Sequence, residues 1–191
     1  GGDLWYHSAK SLACAPEKLA VRLALLLRDC AKPVTQRCGE DYPGHAERGA
    51  ALTETALRNL KLPSGLIQST ATLVRYHSAL PAADRSSLLR ALNLLGRETL
   101  FDLIDMREAD RASHGEDTSD IENLREKTKE LTTCGACYQL SQLALKGDDL
   151  KAWGYSGREM GEVLQKLLDA VIDGKCENTR GALEAYLMTL H

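Results

Sequence analysis

Apolar residues that recur at helical spacing constrain the fold of this chain more than any other feature of its sequence. In residues 19–27, for example, Leu19, Leu23, Leu26 and Leu27 fall on one side of a helix. Similar patterns follow as far as the C-terminal end, separated by proline and glycine, and no segment alternates in the way that is typical of strands. Aromatic residues make up only 5% of the chain, which also favours packing of helix on helix over a sheet. The sequence therefore predicts an all-α protein.

Polar and helix-breaking segments divide this pattern into three parts. The stretch Ser113–Asp120 contains no apolar residue, and Cys134-Gly135 interrupts the charged helix that follows it. We therefore predict a helical core domain over residues 1–114, a linker helix over 115–135 and a small helical tail over 136–191.

Local signals predict several helix boundaries. Pro16 is expected to open the second helix, because proline costs nothing in a first turn. Residues 33–43 are rich in turn-forming residues and are expected to form a loop. Ser156 and Glu159 have the spacing of a capping box, and Gly174 is expected to end the helix that this box starts.

The charge distribution argues against a protein that binds nucleic acid mainly through its net charge. The chain has a net charge of −3, with 13 basic and 9 acidic residues in 1–101 but 5 basic and 10 acidic residues in 102–130. We therefore expect no DNA partner, and we expect phosphate contacts on the first hundred residues. No apolar run is long enough to cross a membrane, so no membrane partner is expected.

The six cysteines are interpreted as reduced thiols, because no secretory feature accompanies them, and the expected location is the cytoplasm. Cys134 and Cys137 form a lone Cys-x-x-Cys. A zinc site would need two further ligands at compatible spacing, and none is evident. A structural or incidental role is favoured for this pair.

One apolar helix runs into an arrangement that is typical of a metal site with one ligand replaced. Residues 26–33 read Leu-Leu-Arg-Asp-Cys-Ala-Lys-Pro. This stretch resembles the Leu-Leu-His-Asp-Ile-Gly-Lys-Pro of the HD superfamily of metal phosphohydrolases, in which the adjacent His and Asp both bind the ion. The resemblance implies a ligand cluster whose remaining candidates, spread over several predicted helices, are His7, Asp29, His45, His77 and Asp110.

Arg28 stands where that superfamily has its histidine, and a guanidinium has no lone pair for a metal. Its charge would repel a divalent ion such as Mg, Mn or Ni by several kcal/mol, even at an effective dielectric constant of about 20. We expect Arg28 to pair with Asp29 or Asp110 in place of an ion, or to bind a phosphate together with Lys32. A divalent metal ion is therefore disfavoured, and no other cofactor is predicted. The alternative for each histidine is a capping or surface role. Asp110 could instead pair with Arg107 or Arg111, and Asp102 or Asp105 could then take its place as the candidate ligand.

A second set of motifs extends the resemblance over nearly the whole chain. They are Asp3-Leu4-Trp5-Tyr6-His7-Ser8, Gly44-His45-Ala46-Glu47-Arg48-Gly49-Ala50, Arg75-Tyr76-His77, Gly147-Asp148-Asp149-Leu150, Ser156-Gly157-x-x-Met160-Gly161 and Gly174-Lys175-x-x-Asn178-Thr179. Together they resemble the C-terminal HD-plus-tail region of bacterial CCA-adding enzymes, which belong to the tRNA nucleotidyltransferase/poly(A) polymerase family.

This resemblance implies that the chain binds tRNA or another RNA as the C-terminal part of such an enzyme. The family's catalytic head is absent from this sequence, so the chain alone is expected not to add nucleotides, and the head is an expected partner. The tail residues that match the family's motifs are the candidate RNA contacts, namely Gly157, Arg158, Gly161, Lys175 and Asn178.

Two other functions stay open at this point. One is a metal-dependent HD phosphohydrolase whose site is weakened by Arg28. The other is a pseudoenzyme that binds a nucleotide or a protein through the pocket around Arg28.

Overall fold

The computed structural model describes residues 4–35 and 42–189, except for the side chains of Leu4, Trp5 and His7. No strand occurs within these ranges, which confirms the predicted all-α fold. Nor is any of the helices in these ranges both long and apolar enough to span a bilayer. The helices are α1 Leu4–Ala13, α2 Leu19–Leu27, α3 Lys32–Thr35, α4 His45–Asn59, α5 Ser64–Tyr76, α6 Arg85–Leu95, α7 Arg97–His114, α8 Ser119–Thr133, α9 Gly147–Ala152, α10 Gly157–Ile172 and α11 Arg180–Met188, with a 3-10 turn at Leu140–Gln142.

Two boundaries near the start of the chain differ from the sequence prediction. The backbone N–H of Lys18 donates to the Pro16 carbonyl at 2.7 Å, so Pro16 lies in a tight turn and α2 begins only at Leu19. Pro33, predicted in a loop, lies within the single helical turn α3, where its missing N–H has no partner to lose. Residues 36–41 of that predicted loop lie outside the described ranges.

The predicted capping box at the start of α10 is wrong. Ser156 occupies the N-cap position, but its side chain makes no capping hydrogen bond. Gly157 follows with φ +53°, and this left-handed backbone interrupts the regular first turn that a capping box requires. Gly174, with φ +71°, follows the end of α10 as predicted.

The described helices fall into two compact units. The first comprises residues 1–81 and 97–126, and the second comprises residues 82–96 and 127–191. The chain therefore leaves the first unit, contributes α6 to the second, and returns. The domain boundaries predicted from the sequence stay a prediction.

In the first unit, α2 packs against α1, α5 and α7, and α4 packs along α5. The core contains fully buried residues from several of these helices, among them Val21, Leu25, Ala50, Val74, Leu100 and Ile104. Gly49 allows α4 to pack closely: a Cβ there would lie 3.5 Å from the Arg28 carbonyl oxygen and 3.3 Å from Val74 Cγ1. The close approach brings the start of α4 to the segment that follows α2.

In the second unit, α10 packs against α6, α9, α11 and the 3-10 turn. The buried side chains of this unit include Leu88, Leu89, Leu92, Leu143, Leu145, Leu150, Leu167 and Leu168. Asn178 ties the segment before α11 to the segment before α9. Its amide oxygen accepts from the Ala144 N–H at 2.8 Å, and its amide nitrogen donates to the Gln142 carbonyl at 2.9 Å.

Candidate functional site

Three of the predicted ligand positions lie together in the first unit. Asp29 follows α2, His45 is the first residue of α4, and His77 follows the last residue of α5. Because α4 and α5 are joined by a short connection and run antiparallel, the start of one helix meets the end of the other. One potential ligand atom from each of the three side chains lies within 4.8 Å of the other two.

The two imidazoles face each other through their Nε2 atoms, which are 3.3 Å apart. Each Nδ1 atom contacts a backbone carbonyl, that of Tyr42 for His45 at 2.8 Å and that of Val74 for His77 at 2.7 Å. A carbonyl oxygen only accepts hydrogen bonds, so each Nδ1 carries a hydrogen and each neutral ring presents a lone pair at Nε2.

At His77 the neutral form of the imidazole is favoured. Burial lowers the pKa of His77, and the charges of His45 and Arg28 act in the same direction, whereas its Val74 hydrogen bond and Asp29 raise it. Two lone pairs at this separation repel each other. A cation between the rings, or a proton on one of them, would remove that repulsion.

Arg28 lies at the other side of this cluster and connects two carboxylates. It is only 7% exposed, and its Nη2 atom is 2.5 Å from Asp110 Oδ1 while its Nε atom is 3.4 Å from Asp29 Oδ2. Burial by itself would raise the pKa of Asp110, but the hydrogen bond and charge of Arg28 outweigh it, so this pKa lies below its usual range. Arg28 thus neutralises Asp110 and contacts Asp29.

The residues present fit a divalent cation in their donor atoms but not fully in their charge. Asp29, His45 and His77 supply one carboxylate and two imidazole nitrogens, and backbone carbonyls orient both rings as in many metal sites. However, Asp29 also contacts Lys32 Nζ at 2.9 Å in addition to Arg28. An ion bound here would compete with two permanent positive charges for this carboxylate.

The two remaining predicted positions are His7 and Asp110. The side chain of His7, on α1, lies outside the described part of the structure. Asp110 contacts Arg28 and also accepts a hydrogen bond from the Ser11 hydroxyl at 3.1 Å, but it is not one of the three grouped ligands.

The tail candidates lie in the second unit, on α10 and beyond it. The Arg158 side chain is 93% exposed and pairs with Glu162 at 2.7 Å, and Lys175 pairs with Asp173 at 3.3 Å. A Cβ at Gly157 or at Gly161 would meet no atom within 4 Å. These positions are therefore open on the surface of the unit, whereas Asn178 is already used in the hydrogen bonds that hold the tail together.

A cavity beside His45 was not predicted from the sequence. It has a volume of about 440 Å³, and its lining includes Tyr42, Glu47, Arg75 and Tyr76. Its signal in the sequence is the pair Arg75-Tyr76, which lies directly before His77. The cavity is formed because the start of α4 and the end of α5 lie side by side.

Residues 49–187 match the protein family described as tRNA nucleotidyltransferase domain 2. Among curated proteins, the chain is 31% identical to the CC-adding tRNA nucleotidyltransferase of Thermus thermophilus, over 89% of this chain and 40% of that protein. It is 36% identical to the A-adding tRNA nucleotidyltransferase of Deinococcus radiodurans, over 54% of this chain and 25% of that protein. The chain thus spans less than half the length of either relative.

No solved structure matches the chain at a significant level. The family match covers most of the chain, from α4 into α11, and confirms the predicted resemblance to CCA-adding enzymes. The chain therefore belongs to the tRNA nucleotidyltransferase domain 2 family.

Proposed function

We propose that this chain is the tRNA-binding C-terminal region of a tRNA nucleotidyltransferase and that a separate catalytic head adds the nucleotides. The observation that carries this proposal is the family match, which extends through the tail as well as the core. The names of the two relatives, which add CC and A to tRNA, support tRNA as the RNA partner. The cytoplasmic location stays a prediction.

The cluster around Arg28 acts in this proposal as a scaffold. Arg28 supplies the positive charge that balances Asp110 and part of Asp29, a task that a bound ion would otherwise perform. The side chains of His45 and His77 meet where the start of α4 lies beside the end of α5. This arrangement gives the core a fixed shape without requiring catalysis.

The tail offers a surface at which an RNA backbone could approach the protein backbone. Gly161 lies within α10, and the space where its Cβ would be is open. Glycine in a helix interior costs about 1 kcal/mol relative to alanine. No neighbouring protein atom would prevent a larger side chain at position 161. The glycine is explained if a binding partner must come close to the backbone there.

The test is a titration of the full chain with tRNA at several salt concentrations, alone and joined to a nucleotidyltransferase head. Binding is expected to weaken with salt, because Lys and Arg contacts to phosphate release counterions. Gly161→Ala is expected to raise thermal stability while lowering tRNA affinity about fivefold or more. Absence of salt-dependent binding in both forms of the protein would refute the proposal.

A matched pair of arginines gives the control for the tail. Arg158 and Arg58 each form an i,i+4 ion pair on an exposed helix face, with Glu162 and Glu54 respectively. Arg158→Gln is expected to weaken tRNA binding and to reduce its salt dependence by about one phosphate contact. Arg58→Gln is expected to change neither, and equal effects of the two substitutions would show that the tail has no special role.

A second candidate function is metal-dependent phosphohydrolysis, which is favoured by the three grouped donors alone. It predicts that the purified chain retains a divalent metal ion and hydrolyses phosphomonoesters or cyclic phosphodiesters with manganese or nickel. Arg28→His should raise both metal content and activity, since it replaces a competing cation by a fourth ligand, the third one that is a nitrogen. If neither protein binds metal or shows activity, this second function is refuted and the scaffold role remains.

A further inference from the structure

The cavity beside His45 has features that the scaffold role does not use. Its volume of about 440 Å³ is within the range of small-molecule sites. Its walls come from the segment before α4, the first turn of α4 and the end of α5. It shares His45 with the Asp29 cluster but contains neither Arg28 nor Asp29 in its lining.

Two tyrosines line this cavity. Tyr42 lies in the segment before α4 and Tyr76 is the last residue of α5, and both are partly exposed. Lys32 Nζ lies 5.5 Å from the centroid of the Tyr42 ring, and the His45 ring meets that ring edge-on at a centroid distance of 6.5 Å. These contacts orient Tyr42. Aromatic side chains held in this way at the wall of an open cavity are the usual stacking partners of an unpaired nucleobase.

Two side chains of opposite charge complete the polar lining. Arg75 and Glu47 are both exposed, and neither forms an ion pair with any residue in the described ranges. A guanidinium is suited to a phosphate group, and a carboxylate accepts hydrogen bonds from an exocyclic amine. A ligand that carries an aromatic ring, an amine and a phosphate would satisfy all four side chains.

We propose that this cavity binds a single unstacked nucleotide whose base carries an exocyclic amine. The base lies against Tyr42 and Tyr76, its amine donates to Glu47, and its phosphate contacts Arg75. The shared chemistry has two sources, an unpaired nucleotide of RNA and a free mononucleotide. The RNA source rests on the proposed function, whereas binding of a mononucleotide does not.

The first arm of the test titrates the full chain with AMP, CMP and UMP, and follows the imidazole proton resonances of His45 and His77. AMP and CMP are expected to bind with millimolar affinity and to shift the His45 resonances, and UMP, which lacks the amine, to bind about fivefold more weakly. Tyr76→Leu and Arg75→Gln should each weaken AMP binding about tenfold. No shift with any of the three nucleotides would overturn the proposal.

Two variants serve as controls for these substitutions. Tyr6 is 63% exposed on α1, and Arg58 lies on α4; neither lines the cavity. Tyr6→Leu and Arg58→Gln are expected to leave AMP binding unchanged. If they weaken it as much as the cavity variants do, binding does not take place in this cavity, and the proposal fails. Thermal denaturation of all four variants shows whether each one is folded.

The second arm repeats the tRNA titration with Tyr76→Leu and Arg75→Gln. A loss of tRNA affinity of about fivefold or more in both variants identifies the RNA as the source of the nucleotide. AMP binding with unchanged tRNA affinity identifies a free nucleotide instead. If the unsubstituted chain binds AMP but no tRNA, the proposed function is refuted and nucleotide binding in the cavity is supported. If it binds tRNA but no AMP, only nucleotide binding in the cavity is refuted.

Discussion

Replacing Arg28 by methionine tests whether this side chain balances a buried carboxylate in place of an ion. Methionine keeps an apolar stem of similar length but removes the guanidinium. Asp110 would then lose the guanidinium nitrogen that lies 2.5 Å from its Oδ1 atom. Because only 18% of the Asp110 side chain is exposed, water could not fully replace this partner. Asp29 would keep its contact with Lys32 at 2.9 Å, so most of the effect should come from Asp110.

The expected loss of unfolding free energy is large, because one partner of a buried ion pair is removed and the other remains. Such changes cost about 3–5 kcal/mol. We place this one at about 3 kcal/mol, since Asp110 is partly exposed and keeps the Ser11 hydrogen bond at 3.1 Å. A loss of that size corresponds to a fall in Tm of about 10 °C for a protein of this length.

The effect should depend on pH with a definite sign. Arg28 holds the pKa of Asp110 below its usual range in the folded protein, so the pair stabilises the fold above the unfolded pKa of about 3.9 and loses this effect as pH falls through the folded pKa. In Arg28→Met, burial is the largest influence and raises this pKa, and only the Ser11 hydrogen bond and the charge of His114 oppose it. Asp110 then takes up a proton at mildly acidic pH, and we expect the difference in unfolding free energy to shrink by about half between pH 7 and pH 4.

Urea denaturation of both proteins at several pH values measures these differences. Arg58→Met is the control, because the Arg58–Glu54 pair is 3.8 Å long and the Arg58 side chain is 69% exposed, so its loss should cost about 0.5 kcal/mol or less. In the double variant Arg28→Met/Asp110→Asn the buried charge is gone, and about 2 kcal/mol should be recovered relative to the sum of the single effects. A loss in Arg28→Met no larger than that of the control, and constant with pH, would refute the reasoning.

Three further substitutions test the packing that positions the site and the tail. Gly49→Ala is expected to be destabilising by about 1 kcal/mol in thermal denaturation, because its Cβ would lie 3.3 Å from the fully buried and rotationally restricted Val74; Gly65→Ala, with nothing within 4 Å, should not be destabilising. Leu92→Ala should cost about 2–5 kcal/mol in urea denaturation, since Leu92 is fully buried in the second unit. Asn178→Ala removes two hydrogen bonds to backbone groups and should cost about 1–3 kcal/mol, seen also as faster amide hydrogen exchange at Ala144; unchanged exchange there would contradict the role assigned to Asn178.

Local sequence signals predicted the helices well and their first turns less well. Helical spacing of leucine and alanine predicted the all-α fold, and the left-handed Gly174 after α10 was predicted as well. Contrary to the predictions, Pro16 does not open α2, and the Ser156 side chain makes no capping hydrogen bond. In both cases the backbone just beside the residue, a tight turn at Lys18 and a left-handed Gly157, decided the outcome.

For the candidate site, the sequence predicted the types of side chain but not their positions relative to one another. The motif around Arg28 and Asp29 indicated which side chains are candidate ligands and which one replaces a ligand. It could not show that Arg28 reaches Asp110 while Asp29 stays with the two histidines. That choice depends on the separations of helices far apart in the chain, which no local pattern encodes.

The sequence by itself determined the helical class, the family and the residue types of the cluster, because these depend on periodicity and on short motifs. Only the tertiary structure decided how the charges are shared, which Nε2 atoms face each other and where a cavity opens. The cavity between α4 and α5 exists because Gly49 lets the helices approach and their antiparallel packing brings Tyr42, Arg75 and Tyr76 to one place. Such proximity arises from packing over the whole unit, and it becomes visible only once the chain is folded.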